Sequence, residues 1–89
     1  MIVWGVGAHT LRLLATGGLD LAKIALFVDS NPKYQKQEVR GVRVIAPAEL
    51  KDHPEPILIS SRGFQREIEL QIREQLGLPN PLILLYDGS

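Results

Sequence analysis

The first candidate site is a glycine-rich turn near the start of the chain, made of Gly5, Gly7, Ala8, His9 and Thr10. Glycine allows a sharp turn and lets a phosphate group approach the backbone N–H groups closely. If a helix begins directly after the turn, its unpaired N–H groups and its dipole also attract an anion. The sequence therefore predicts that these five residues bind a phosphorylated ligand. The alternative is that both glycines serve only the turn.

Asp29 extends this candidate site. It follows Gly5 by 24 residues. Dinucleotide-binding domains place an acidic residue about 20 residues after their glycine turn, where it accepts a hydrogen bond from a ribose hydroxyl. The third glycine of that pattern is replaced by Thr10, which alters the packing of helix on strand and makes ordinary NAD binding less expected. The pattern indicates a nucleotide, a nucleotide sugar or an NAD-like ligand without identifying it.

The second candidate segment comprises Ser60, Ser61, Arg62 and Gly63. The two hydroxyls can donate hydrogen bonds, the guanidinium can bind a carboxylate or phosphate, and the glycine permits close approach. Alternatively, Ser61 caps the helix that follows while Arg62 is solvated. Capping and binding are compatible, so both interpretations stay open.

The sequence contains no recognisable catalytic or metal-binding constellation. The chain has no cysteine, which removes thiolate metal sites, disulfides and thiol nucleophiles. Asp29 and Asn31 have no further carboxylate or histidine at ligand spacing, and neither Ser60 nor Ser61 lies in the Gly-x-Ser-x-Gly turn of a serine hydrolase. His9 either hydrogen-bonds a ligand or faces solvent, and action as a general acid or base is the least favoured alternative. We therefore expect neither a catalytic residue nor a metal ion in this chain.

Composition excludes further function classes. The 89 residues carry ten basic and ten acidic side chains, for a formal net charge of +0. Binding of nucleic acid or of an anionic membrane requires a basic surface, so neither partner is expected. The apolar runs are far shorter than the ~20 residues of a membrane span. Together with the lack of cysteine and of a signal peptide after Met1, this favours a cytoplasmic protein.

Short apolar runs alternate with helical segments along the chain. Such continuous runs are typical of strands buried on both faces of a parallel sheet. The predicted strands cover residues 2–4, 24–28, 42–45, 57–59 and 82–86. The predicted helices cover residues 8–16, 47–51 and 64–76. We therefore predict a single α/β domain with a Rossmann-like three-layer fold, in which a five-stranded parallel sheet has the order 3-2-1-4-5.

The last predicted helix has the clearest pattern. Phe64 and Ile68 begin an apolar stripe that recurs every fourth residue through Leu76 and is expected to face the sheet. Gly77 is placed to end this helix in the left-handed conformation. By contrast, residues 30–41 are polar and are expected to form an irregular loop. In the predicted strand order, the glycine turn and the segment at 60–63 meet at the switch point, where open α/β sheets bind ligands.

Four sequence runs together resemble a known domain family. They are VWGVGAHTLRLL, LFVDSNPKYQKQEVRGVRVIAPAEL, PILISSRGFQREIELQI and LILLYD. The chain resembles the small Rossmann-like C-terminal accessory domain of SAM-dependent methyltransferases. More distantly, it is similar to the N-terminal domains of polysaccharide-biosynthesis epimerases and of sugar acyltransferases. The resemblance covers nearly the whole chain.

The resemblance implies a cytoplasmic, non-catalytic domain beside a catalytic one, holding a nucleotide or nucleotide sugar at Gly5, Gly7 and His9, with Asp29 nearby. SAM would bind only in a separate domain. Because a strand starts at residue 2, we expect a piece of a longer chain. The main alternative is a structural or homo-oligomeric module without a ligand, since a very apolar fifth strand at a sheet edge needs cover from another domain or a second copy. A self-sufficient enzyme is the third possibility.

Overall fold

One β-sheet of six strands organises the protein, in a computed structural model that describes residues 1–61 and 63–84. The strands are β1 (Ile2–Trp4), β2 (Leu26–Val28), β3 (Glu38–Val39), β4 (Val42–Ile45), β5 (Ile57–Ile59) and β6 (Leu82–Leu84). Their order across the sheet is β3-β4-β2-β1-β5-β6. The β3–β4 pair is antiparallel, and all other neighbouring pairs are parallel.

Two α-helices and several shorter helical turns connect the strands. The helical elements are α1 (Ala8–Thr16), α2 (Gln65–Leu70), a π-helical segment (Gln71–Gln75) and two 3₁₀ turns (Leu21–Lys23 and Pro47–Asp52). The predicted α/β class is confirmed. The predicted helix at 47–51 is a 3₁₀ turn instead, and residues 85–86 of the predicted fifth strand lie outside the described residues. Of the helices in the described part, none is long and apolar enough to cross a membrane.

The strand β3 was not predicted, and it makes the sheet mixed rather than wholly parallel. Its pairing places Val39 opposite Val42. The two residues between them, Arg40 and Gly41, have φ values of 51° and 86°. Two successive left-handed residues form a tight hairpin turn whose twist matches that of the strands. The prediction of an irregular loop over residues 30–41 is therefore wrong at its end.

The strand β2 is shorter than predicted. The prediction began it at residue 24, whereas the strand begins at Leu26. The Asp20 carboxylate accepts a hydrogen bond from the Ala22 N–H at 3.0 Å. This bond starts a 3₁₀ turn, which the Ile24 N–H closes on the Leu21 carbonyl at 3.1 Å. Ile24 is thus buried in the core without belonging to the strand.

The longest helical segment differs from its prediction at the start and agrees with it at the end. Phe64 is the N-cap of α2 and is 66% exposed, so the prediction that it packs on the sheet is wrong. From Gln71 the helix continues with wider π-type turns. Gly77, with φ of 63°, ends the segment in the left-handed conformation. The Leu78 N–H then donates to the Ile72 carbonyl at 3.0 Å.

Apolar side chains fill both faces of the sheet. Successive residues of a strand point to opposite faces, so β1 contributes Ile2 and Trp4 to one core and Val3 to the other. Ile72, from the π-helical segment, packs in the first core, and Leu14 of α1 packs in the second. The sheet therefore lies between two helical layers. This burial on both faces explains why the strands are continuous apolar runs.

Candidate functional site

A cavity of about 580 Å³ opens where β1, β2 and β5 reach their carboxyl ends. Two predicted segments, separated by more than half of the chain, meet there. The predicted site residues that line it are Gly5, Gly7, Ala8, His9, Asp29, Ser60, Ser61 and Gly63. Thr10 does not line the cavity, and Arg62 lies outside the described residues. The parallel strand pairs bring these residues together because they align the carboxyl ends of β1, β2 and β5 at one edge.

The two glycines of the turn differ in whether the backbone requires a glycine there. Gly5 has φ of 116°, and a Cβ added to it would lie 3.4 Å from the Ser60 carbonyl oxygen. Gly7 has φ of −69°, which any residue can adopt, and no described atom lies within 4 Å of where its Cβ would be. The fold therefore requires glycine at position 5 but not at position 7. At position 7, the missing side chain leaves open space at the cavity wall.

The first turn of α1 faces this open space. Gly7 is the N-cap of the nine-residue helix, and no side chain of the described residues caps it. No acidic residue occupies the first turn. A helix begins with N–H groups that have no partner inside the helix, and the dipole makes this end positive. The first turn of α1 is thus arranged to accept an anion at the cavity wall.

Asp29 ties the end of β2 to the glycine turn. Its Oδ2 accepts a hydrogen bond from the Val6 N–H at 3.0 Å, and its Oδ1 accepts one from the Asn31 N–H at 2.9 Å. An ionised carboxylate offers about four acceptor sites, so each oxygen keeps room for a further donor. Asp29 therefore holds the turn in place while it lines the cavity. Its predicted contact with a ribose hydroxyl stays a prediction.

Thr10 is buried and bonded to the glycine turn, and it does not line the cavity, although the sequence predicted it in the ligand site. It is 1% exposed, and its hydroxyl donates to the Gly5 carbonyl oxygen at 2.6 Å. Its Oγ1 lies 2.8 Å from the Ser60 Oγ. Because the Thr10 proton points to a carbonyl, the Ser60 hydroxyl must donate in this second bond. Ser60 can therefore only accept hydrogen bonds from a ligand, whereas the sequence predicted a donor.

The start of α2 tests the capping interpretation of Ser61. The helix begins at Gln65 after Phe64, and no side-chain hydrogen bond caps it within the described residues. The capping interpretation of Ser61 is therefore wrong, because a turn at Gly63 and Phe64 separates Ser61 from the helix. Ser61 and Gly63 line the cavity instead.

A group of lining residues on and beside α2 was not predicted from the sequence as part of the site. Phe64, Glu67, Ile68 and Gln71 line the cavity from α2 and its ends. Residues at spacing i, i+3, i+4 and i+7 share one face of a helix, so these four form one stripe. Trp4 and Ser30 also line the cavity. The sequence signal that could have identified these residues is their helical spacing, which begins directly after the fourth predicted strand at the predicted switch point.

The described residues show no arrangement suited to a metal ion. Within residues 1–61 and 63–84, no three or more His, Asp and Glu side chains converge on a point that could hold one. The groups that the cavity offers a ligand include backbone N–H donors at the start of α1, the acceptors Asp29 and Glu67, the Gln71 amide and the Phe64 ring.

A comparison with family models places this protein. Residues 1–84 match the model described as C2185-like, N-terminal. The chain belongs to this family. No curated protein and no solved structure matches the chain significantly. The description of the C2185-like N-terminal family names neither a ligand nor a reaction, so the function has to be argued from the cavity.

Proposed function

We propose that this C2185-like N-terminal domain is a non-catalytic binding domain that holds a nucleotide or a nucleotide sugar in the cavity. The observation that carries the proposal is the convergence at one cavity of the glycine turn, the uncapped start of α1, Asp29 and Ser61. In open α/β sheets, ligands bind at the carboxyl ends of the strands. We assign the fold to the Rossmann-like class, with β3 added to a parallel sheet of five strands.

The phosphate end of the ligand belongs at the first turn of α1. Gly7 leaves that turn open although the fold tolerates a side chain there, which favours a ligand over a purely local role. Asp29 lies beside the turn with acceptor capacity left for a hydroxyl group. This arrangement suits a phosphate and a sugar that are joined in one molecule.

The resemblance of the sequence supports an accessory role in a cytoplasmic enzyme of sugar biosynthesis or methyl transfer. In this proposal the catalytic domain, including any SAM site, is separate from the described fold. The cavity lies at the edge of one small sheet, and the partner domain or a second copy supplies the rest of the machinery. Thr10 replaces the third glycine of the dinucleotide-binding pattern, and it is buried and bonded to Gly5 and Ser60. An NAD-like ligand would therefore have to bind to a turn that differs from the usual one at this residue.

An amide-resolved NMR titration tests the proposal. The chain is titrated in turn with NAD, a UDP-sugar, a dTDP-sugar, CoA and SAM. We expect saturable shifts for at least one ligand, confined to residues 5–10, Asp29, residues 60–63 and the α2 residues that line the same cavity. Shifts that do not saturate, or that spread over surface residues far from the cavity, would reject a specific site there. No shift with any ligand would reject the proposal.

A second candidate function is a structural or oligomerisation module. It is favoured by the edge strand β6, where Ile83 and Leu84 are each 43% exposed. Apolar edge strands promote pairing with another chain unless they are covered. Sedimentation velocity over a range of concentrations tests this function. A dimer whose population rises with concentration is expected, and a strict monomer would count against it.

A further inference from the structure

A second group of residues lining the cavity does not suit a phosphate group. It is the α2 stripe, made of Phe64, Glu67, Ile68 and Gln71. Phe64 is 66% exposed, the most exposed large apolar side chain of the described residues. Ile68 is partly buried against the core below it. An exposed aromatic ring at the rim of a cavity is typical of a surface that stacks on a planar ligand group.

The polar side chains of the stripe have a defined hydrogen-bonding character. Within the described part of the chain, neither the Glu67 carboxylate nor the Gln71 amide has a hydrogen-bond or ion-pair partner. An ionised carboxylate only accepts hydrogen bonds, whereas an amide both accepts and donates. Asp29 beside α1 is offset by the N–H group it accepts from and by the start of the helix, whereas the charge of Glu67 has no such partner in the described residues and disfavours a phosphate there. The α2 stripe therefore suits the base of a nucleotide better than its phosphate.

We propose that the α2 stripe binds a base that carries an exocyclic amino group, namely adenine, guanine or cytosine, in the ligand whose phosphate lies at α1. The inference rests on the proposed function and narrows its ligand class. The ring would stack on Phe64, its N–H donors would face Glu67, and the Gln71 amide would donate to a ring nitrogen or carbonyl oxygen. Uracil and thymine fit less well, because two carbonyl oxygens flank their single ring N–H and would face the carboxylate.

The test compares ligands that differ only at the base. Isothermal titration calorimetry of the 89-residue chain with ADP, IDP and UDP measures three dissociation constants. IDP is ADP with the amino group replaced by a carbonyl oxygen, which also places a hydrogen on the adjacent ring nitrogen; as in uracil, that N–H lies next to a carbonyl oxygen that would approach the carboxylate. We expect ADP to bind about tenfold more tightly than IDP, as one hydrogen bond to a carboxylate would give, and UDP to bind more weakly still. This comparison needs no variant.

Two variants assign the preference to the stripe. Glu67→Gln should reduce the ratio of ADP to IDP affinity to within about twofold. Glu74→Gln removes the same charge at an exposed position of the π-helical segment that does not line the cavity, and it should keep the ratio. Phe64→Ala should weaken ADP and IDP alike by about tenfold, since stacking contributes to both. All three side chains are exposed, so the core is left intact.

The outcomes separate this inference from the proposed function. Equal affinities for ADP, IDP and UDP that Glu67→Gln leaves unchanged would overturn the inference, while the proposed function would stand. Tightest binding of UDP would also overturn the inference alone. Failure of every diphosphate and every nucleotide sugar to bind would overturn both.

Discussion

Substituting the two glycines of the turn one at a time tests the geometry of the site. Gly5→Ala forces an L side chain into φ of 116°, a conformation that is essentially restricted to glycine. The added Cβ would lie 3.4 Å from the Ser60 carbonyl oxygen, which is close to an ordinary contact, so the strain is that of the backbone. Gly7→Ala has no such strain, because φ is −69° and the new Cβ points into open space. The same substitution, two positions apart, should therefore have unequal effects.

The magnitudes follow from backbone strain and capping. A residue held in such an unfavourable conformation costs about 1–3 kcal/mol, so Gly5→Ala should lower the free energy of unfolding by about 2 kcal/mol. For a domain of this size that corresponds to roughly 10 °C in Tm. Gly7→Ala only exchanges a fair N-cap residue for a poor one, which costs about 0.5 kcal/mol. The expected ratio between the two losses is thus about four.

Urea unfolding monitored by tryptophan fluorescence measures both variants. Trp4 is the only tryptophan of the chain and is 2% exposed, so its emission reports exposure of the core next to the site. Both variants should unfold in a single transition with the slope of the parent chain. Equal losses in the two variants, or a larger loss in Gly7→Ala, would refute the distinction drawn between the two glycines.

Substitutions at two further positions test how buried polar side chains hold the site and its sheet together. Thr10→Val removes the hydroxyl that joins the Gly5 carbonyl to β5 and should lower the free energy of unfolding by about 1–3 kcal/mol, while Thr10→Ser should stay within about 1 kcal/mol of the parent in urea unfolding. Asn80→Ala removes two bonds, from the buried side-chain amide to the carbonyls of His53 and Glu55 at 2.6 Å and 2.8 Å. Its loss in thermal unfolding should be about 2–4 kcal/mol, and a loss below about 1 kcal/mol would show that water replaces these bonds.

The elements that were predictable from the sequence are those encoded by local patterns. The strand at Ile57–Ile59 is a short apolar run, and α1 at Ala8–Thr16 ends at a glycine pair; both have the predicted bounds. The end of the last helix at Gly77 was also predictable, because only glycine adopts the left-handed conformation freely. In each case residues that are close in sequence determine the outcome.

The features that were not predicted depend on residues that are distant in sequence or on the residue at which a helix begins. The hairpin strand β3 requires Arg40 in a left-handed conformation, which its residue type does not indicate. The role of Thr10 depends on Ser60, 50 positions away. Phe64 continues the apolar period of its helix but lies one residue before the helix begins. Periodicity alone therefore assigned it to the core rather than to the cavity rim.

The measurement that tests the central claim most directly is the affinity of Gly7→Asp for ADP, set beside its stability. Aspartate is among the best N-cap residues and its charge suits the helix dipole, so the variant should be as stable as the parent chain or more stable by about 0.5 kcal/mol. The same carboxylate would occupy and repel the phosphate position. We predict at least tenfold weaker ADP binding in a fully folded variant. Binding of ADP to Gly7→Asp at the parent affinity would contradict a phosphate site at the start of α1.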